Sequence, residues 1–321
     1  VANGTLWKMG EMFQLSIELY DTKEKKVVWS DRWQEKWDNL PSIKSNLSNG
    51  LLKALDTKPK VEQKVETTNT EAYEFYLKAK HKYEKRGTTD DTEITRGLLN
   101  KAIELDDNLI LAKTLLGTTY RDMGDYDEAM EIYTPVLKQA EELRDEYGMG
   151  IILIDIGLVH YSKGEYDKPL EYFSRSLAIQ EELGDKRGMG IILSNIGIVH
   201  VNRGDSGKAL EHLEKSLTIQ KEIGLGANYL IWVTLYLYLT YKQLAKDYDI
   251  NEIHSLIKEA SNIQFGLNLG LYQLLEESSY LETAYNQVQE TASAMGKELA
   301  EKFLSYPIPK AIAEEWEKLN N

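Results

Sequence analysis

Side chains that could do chemistry are scattered along this chain, and their spacing argues against a catalytic centre. The five histidines are His81, His160, His200, His212 and His254, and none sits at the paired spacing of a zinc motif. With no cysteine there is no thiolate ligand and no disulfide. His160 and His200 stand 40 residues apart, at one position of a repeated unit, where packed and hydrogen-bonded helix residues are expected. The carboxylate runs Glu141-Glu142 and Glu181-Glu182 fit solvated helix faces. Gly148-Met149-Gly150 and Gly188-Met189-Gly190 lack the third glycine and the strand context of a dinucleotide loop. No metal, cofactor or enzymatic role is expected, which leaves surface recognition.

The elements that position these residues come from a duplicated stretch. Gly148–Gly184 and Gly188–Gly224 align at an offset of 40, with 20 of 37 positions identical. A fixed period of this size means stacked repeats. Gly117, Gly157 and Gly197 share one register, and Gly124, Gly164 and Gly204 share another. A mid-helix glycine costs about 1 kcal/mol against alanine. The first set therefore predicts helices crossing too closely for a Cβ. The second set predicts turns with positive φ. Each partner helix carries an apolar stripe, such as Tyr166, Leu170, Phe173 and Leu177, that only a neighbouring unit can bury. The expected fold is mainly α, a solenoid of antiparallel helix pairs, with its best repeats at 109–145, 148–184 and 188–224.

Residues 1–55 read differently. Phe13, Leu15, Ile17 and Leu19 alternate with polar residues, the period of a half-buried strand. With Gly4–Lys8 and Val27–Trp29 they predict about three antiparallel strands, followed by one helix from Pro41 to Leu55. Trp7, Trp29, Trp33 and Trp37 are expected as a core-facing cluster, with a ligand-stacking platform as the other reading. Residues 56–69 read as a linker, and helices resume at Thr70. Beyond Gly224 the repeat decays: Leu237 stands where glycine is expected, which predicts a looser crossing. Helices are predicted over 229–246, 251–267, 271–295 and 297–304. Tyr306-Pro307-Ile308-Pro309 reads as a hard stop before a capping helix, within 306–321, from Ala311 to Leu319.

Charge narrows the partners. The net charge is −14. The first 60 residues hold ten Lys/Arg and eight Asp/Glu, so the acidity lies in the helical part. An acidic surface repels phosphate backbones and anionic lipid, which argues against nucleic acid and membrane partners. The longest apolar run, Tyr229–Leu239, is shorter than the roughly 20 residues of a spanning helix. The start lacks both a signal peptide and an initiator Met, so the chain reads as a piece of a longer, cytoplasmic protein.

The motifs Leu116-Gly117-x-x-Tyr120 with Gly124-x-Tyr126-x-x-Ala129, and Ile156-Gly157-x-x-His160 with Gly164-x-Tyr166, resemble the tetratricopeptide repeat. The 40-residue period resembles its long-helix subset. That resemblance implies a peptide or protein partner in a concave groove lined by the first helix of each pair. By register, the exposed groove positions are Thr114, Thr118 and Arg121, then Asp155, Leu158 and Tyr161, then Ser194, Asn195, Ile198 and Asn202. Asn195 stands where the subset often uses asparagine to bind a peptide backbone, with Asp155 able to do half of that. The run Phe13–Asp21 with Val28–Trp33 resembles the last strands of a TolB-like module. In bacteria such modules often lie between a class III adenylate or guanylate cyclase domain and a tetratricopeptide array. The resemblance implies a non-catalytic regulatory region of a bacterial signalling protein. A self-assembly scaffold, and so a homo-oligomer, is the alternative.

Overall fold

The computed structural model describes residues 2–9, 12–21, 26–36, 67, 69–85, 89–261 and 263–320. The expected helix at 41–55, Trp37, the turns at 10–11 and 22–25 and all of the linker except Thr67 and Asn69 lie outside the described residues. The chain divides into two compact units, Val1–Leu116 and Gly117–Asn321.

In the first unit, β1 (Ala2–Met9), β2 (Met12–Asp21) and β3 (Lys26–Lys36) form an antiparallel meander in chain order. Side chains alternate between faces along a strand, so register decides which are buried. Leu15 pairs with Trp33, and both are half-buried. Trp7 pairs with Gln14, and Gln14 with Gln34. That face is polar, and Trp7 is 66% exposed. The expectation of a core-facing Trp7 is therefore corrected: the pleat turns it to the polar side.

Among the described residues this unit holds the helices α1 (Thr70–Glu84) and α2 (Thr89–Leu105). Asn69 caps α1, accepting from the Ala72 amide at 3.1 Å, and its own amide donates to the Leu105 carbonyl at 2.8 Å. One side chain thus satisfies a free helix-start N–H and ties the two helix ends together. Ala72, Tyr76 and Ala79 pack with Leu99, Ala102, Leu109 and Ala112, as the apolar stripes require. The next helix, α3 (Ile110–Asp122), contains the unit boundary.

The second unit holds the regular repeats: α4 (Tyr126–Leu143), α5 (Glu146–Ser162), α6 (Lys168–Leu183), α7 (Lys186–Asn202) and α8 (Ser206–Glu222). The helices are arranged like a solenoid. The glycine register behaves as its spacing predicts. A Cβ on Gly117 would lie 2.5 Å from the Tyr133 ring, and one on Gly197 2.5 Å from Leu213 Cγ. Gly157 is crowded in the same way by Phe173. The turn glycines Gly124, Gly164 and Gly204 all have positive φ. A second repeated device lies deeper. Ser176 donates to the Gly150 carbonyl and Ser216 to the Gly190 carbonyl, each at 2.7 Å and fully buried. These bonds pin each second helix to the start of its first. α4 runs unbroken through Pro135, while α6 carries Pro169 in its first turn, where a missing N–H costs little.

The remaining helices are α9 (Ala227–Gln243), α10 (Ile250–Glu259), α11 (Phe265–Leu275), α12 (Ser278–Ser293), α13 (Lys297–Ser305) and α14 (Pro307–Asn320). Two expected helices, over 251–267 and 271–295, are thus three. Ala260 takes an extended conformation after α10, and Glu276 enters the left-handed region at φ 62° after α11. Leu237 is buried against α10 and α11. The close approach moves to α11, where a Cβ on Gly270 would lie 2.8 Å from Leu235 Cδ2. The expected stop at Pro307-Ile308-Pro309 is instead the first turn of α14. Only Tyr306, in the extended conformation a following proline favours, separates it from α13.

Candidate functional site

The register-mapped groove residues sit on α3, α5 and α7, and burial separates them. Thr118, Asp155, Ser194 and Ile198 are all buried, against the expectation of exposed positions. Thr114 belongs to the first unit, is buried, and donates back to its own helix at the Ile110 carbonyl, 2.9 Å away. Ile198 is buried in an apolar cluster, whereas Thr118 and Asp155 are buried as members of a polar chain between α3 and α5. Tyr133 donates to Thr118 Oγ1 at 3.2 Å, and Thr118 donates to Asp155 Oδ2 at 3.1 Å. The Arg121 guanidinium pairs with the other oxygen of Asp155 and holds Asp122 at 3.0 Å. Burial pushes the Asp155 carboxyl above its usual range, and Arg121 pulls against that shift. Asp155 is therefore committed to the scaffold.

The same register one repeat later is built differently. Where Thr118 and Arg121 face Asp155, the sequence offers Leu158 and Tyr161 to Asn195. Leu158 cannot hydrogen-bond, and Tyr161 points its hydroxyl elsewhere. Asn202 donates to that hydroxyl at 3.1 Å and to the Ile198 carbonyl at 2.9 Å. Tyr236 on α9 meets the same hydroxyl, and burial raises the Tyr161 pKa well above the ordinary phenol value. Tyr161 thereby links α5, α7 and α9. The half-buried Asn195 carboxamide has no hydrogen-bond partner among the described residues.

At the start of α7, Arg187 lies over the Tyr229 ring at 5.0 Å and donates to its hydroxyl at 2.5 Å. Both are exposed, and no carboxylate pairs with Arg187 among the described residues. Sequence reading missed this pair, because Tyr229 was absorbed into the apolar run that opens α9. It also missed Tyr236, whose contact with Tyr161 spans two repeats.

The repeated histidines are packing residues with different surroundings. His160 Nδ1 meets Glu165 at 2.9 Å, and its ring stacks on Tyr172. His200 stacks on His212, while its Nδ1 stands 3.9 Å from Asp205, too far for a hydrogen bond, and has no partner. Burial lowers the pKa of both histidines; His212 lowers His200 further, whereas Glu165 opposes the shift at His160. Among the described residues no three acidic or imidazole groups converge on a metal position, and no helix is long and apolar enough to cross a membrane.

Comparison with known proteins agrees with this architecture. The tetratricopeptide repeat model matches residues 108–182 and again 148–222. No curated protein matches the sequence. Among solved structures, the apo form of RapI is 14% identical over 88% of this chain and 84% of its own, with a TM-score of 0.50. Aspartyl phosphate phosphatase F from Bacillus subtilis is 17% identical over 89% of this chain and 68% of its own, TM-score 0.49. Pseudomonas aeruginosa pilF is 15% identical over 73% of this chain and 96% of its own, TM-score 0.47. At 14% identity the likeness to RapI speaks to fold alone. The glycine crossings, the positive-φ turns and the family match meet on the same stretch, and residues 108–222 are tetratricopeptide repeats.

Proposed function

We propose that this chain is a non-catalytic scaffold that binds an extended peptide or protein segment along α5 and α7, with Asn195 as the polar anchor. The observation that carries the reading is the contrast at one register. Asp155 is saturated by Thr118 and Arg121, whereas Asn195 presents a donor and an acceptor with no partner. A peptide backbone offers the matching acceptor and donor. Arg187 adds a cation unpaired by any carboxylate on the same helix, suited to an acidic group of the ligand. Peptides selected by phage display on the wild-type chain should bind Asn195→Ala at least tenfold more weakly by calorimetry, with thermal stability unchanged. Equal binding by that variant would remove Asn195 from the site.

In the wider setting, the strand run Phe13–Asp21 with Val28–Trp33 supports a TolB-like module, and with it a regulatory region of a cytoplasmic bacterial signalling protein such as a class III nucleotide cyclase. Sequencing of the parent coding region tests this, and the absence of any output domain would refute it. The meander favours a second reading: β1 and β3 are its outer strands, the places where a strand from another copy would add to the sheet. Light scattering that shows a monomer at every concentration would exclude self-assembly.

A further inference from the structure

The last helices of the second unit return to its first turns. Phe303 on α13 is 1% exposed, and a Cβ on Gly124 would lie 2.5 Å from its ring and 3.0 Å from Met295 Cε. The Tyr306 ring packs on Tyr126 with centroids 4.8 Å apart. Pro307 Cγ fills the space over Gly164, 2.7 Å from where a Cβ would stand. Lys302 pairs with Asp127, which also holds Lys163 at 2.7 Å. The two lysines keep the Asp127 carboxyl below its usual range. The equivalent third turn is open, with nothing within 4 Å of a Cβ on Gly204. The turn glycines of the first two repeats thus do a job the third does not: they form a seat for residues 179 and 143 positions further along, Phe303 on Gly124 and Pro307 on Gly164.

We infer that α13 and the first turn of α14 are a releasable latch on the first two repeat turns, which opens while the repeats stay folded. Three features set the latch apart from the repeats. α13 has nine residues, and Phe303 is its single buried one. A helix that short does not hold itself together in water. The Lys302–Asp127 pair has both partners about half exposed, the kind of surface ion pair that contributes little. The repeats, by contrast, share buried Ile152, Leu153, Phe173, Ile192 and Leu213 and the buried serine–carbonyl bonds. Local opening begins where buried contacts are fewest. Opening would free an apolar edge around Tyr126 and change what fixes the spacing of α3 and α5, the helices beside the groove.

Hydrogen exchange on the full chain tests this. In the wild type, residues 297–306 should exchange faster than α5 to α8. Lys302→Glu, which sets two carboxylates against each other, should raise exchange several-fold at 124–128, 164–167 and 297–306. Amides around Gly204 and through α7 and α8 should not change. Phe303→Ala should act in the same way. Because the natural chain has no cysteine, cysteines placed at 127 and 302 and joined by a short bismaleimide form one defined tether, which should slow exchange at the same three segments. The latch is refuted if both substitutions leave those segments unchanged, or if they raise exchange evenly through α4 to α8, which would make α13 part of one cooperative unit.

Discussion

Replacing Gly197 with alanine sets two known effects against each other. In a helix interior alanine is favoured over glycine by about 1 kcal/mol. The structure opposes that gain. The new Cβ would lie 2.5 Å from Leu213 Cγ, 2.7 Å from its Cδ2 and 3.4 Å from the Ala209 carbonyl oxygen. Carbon atoms pack comfortably at roughly 3.5–4.0 Å, so something must move by an ångström or more. The clashing atom is the branch point of a fully buried leucine, not the end of a flexible chain, and helix backbone stands behind it. Overpacking costs about 1–3 kcal/mol, and this overlap belongs at the top of that range. The net expectation is a destabilisation of about 2 kcal/mol. Gly207 is the control on the partner helix α8: it is exposed, with nothing within 4 Å, and its replacement by alanine should stabilise by about 0.5 kcal/mol. Urea unfolding followed by far-UV circular dichroism reads both. Leu213→Ala alone should cost about 2–5 kcal/mol. Combined with Gly197→Ala it should cost at least about 1 kcal/mol less than the sum, because the cavity accepts the methyl. A Gly197→Ala variant as stable as the wild type, or a double variant that is strictly additive, would refute the claim that close crossing keeps this glycine.

Two further outcomes follow from the polar interior. Asp155→Ala should destabilise by about 1–3 kcal/mol in the same urea assay, since it removes the buried carboxylate that Thr118 and Arg121 both donate to, whereas Asn195→Ala should stay within about 0.5 kcal/mol of wild type. Stability should also fall on acidification. The folded-state pKa values of His160 and His200 are lowered, so the unfolded chain takes up protons first, and the stability present above about pH 6.5 is lost as pH falls through that value toward the folded pKa values. The charged groups around His200 are His212, Asp205, Lys208 and Arg203. His200→Tyr should show a smaller drop in melting temperature between pH 7.5 and 5.5 than the wild type, and an equal drop would show that other groups dominate.

The glycine register was legible because a glycine inside a helix is locally unfavourable, so three at one spacing demand a cause in the packing. Helix starts also have a cause close by in the chain: Asp145 and Asp185 stand before their helices and accept from the amides of Gly148 and Arg187. What stayed hidden depends on partners distant in sequence. Asp155 is a groove residue by register, and only Arg121, 34 positions earlier, makes it a scaffold residue. Trp7 reads as apolar and therefore core-facing, but strand register, which the sequence leaves open, puts it opposite Gln14. The proline pair at 307 and 309 reads as a breaker, yet the first turn of a helix tolerates both. No periodicity could announce that Phe303 seats on Gly124.

The differences between repeats are correlated, and that correlation bears on function. Passing from the first pair of inner helices to the second, Thr118 becomes Leu158, Arg121 becomes Tyr161, and Asp155 becomes Asn195. Any one change alone would do damage. A leucine and a tyrosine opposite a buried aspartate would strand its charge, and an arginine opposite asparagine would lose its ion pair. Together the three replace a charged clamp with an apolar and aromatic contact, and the neutral asparagine can remain half-exposed without a partner. Tyr161 does not leave the register loose, because its hydroxyl is taken up by Asn202 and Tyr236. Inner helices must be held at a fixed spacing for a groove to exist. In one repeat the residue at this register supplies that hold. In the next the hold moves to the tyrosine, and the Asn195 carboxamide is left without a hydrogen-bond partner among the described residues, as the proposed peptide site requires.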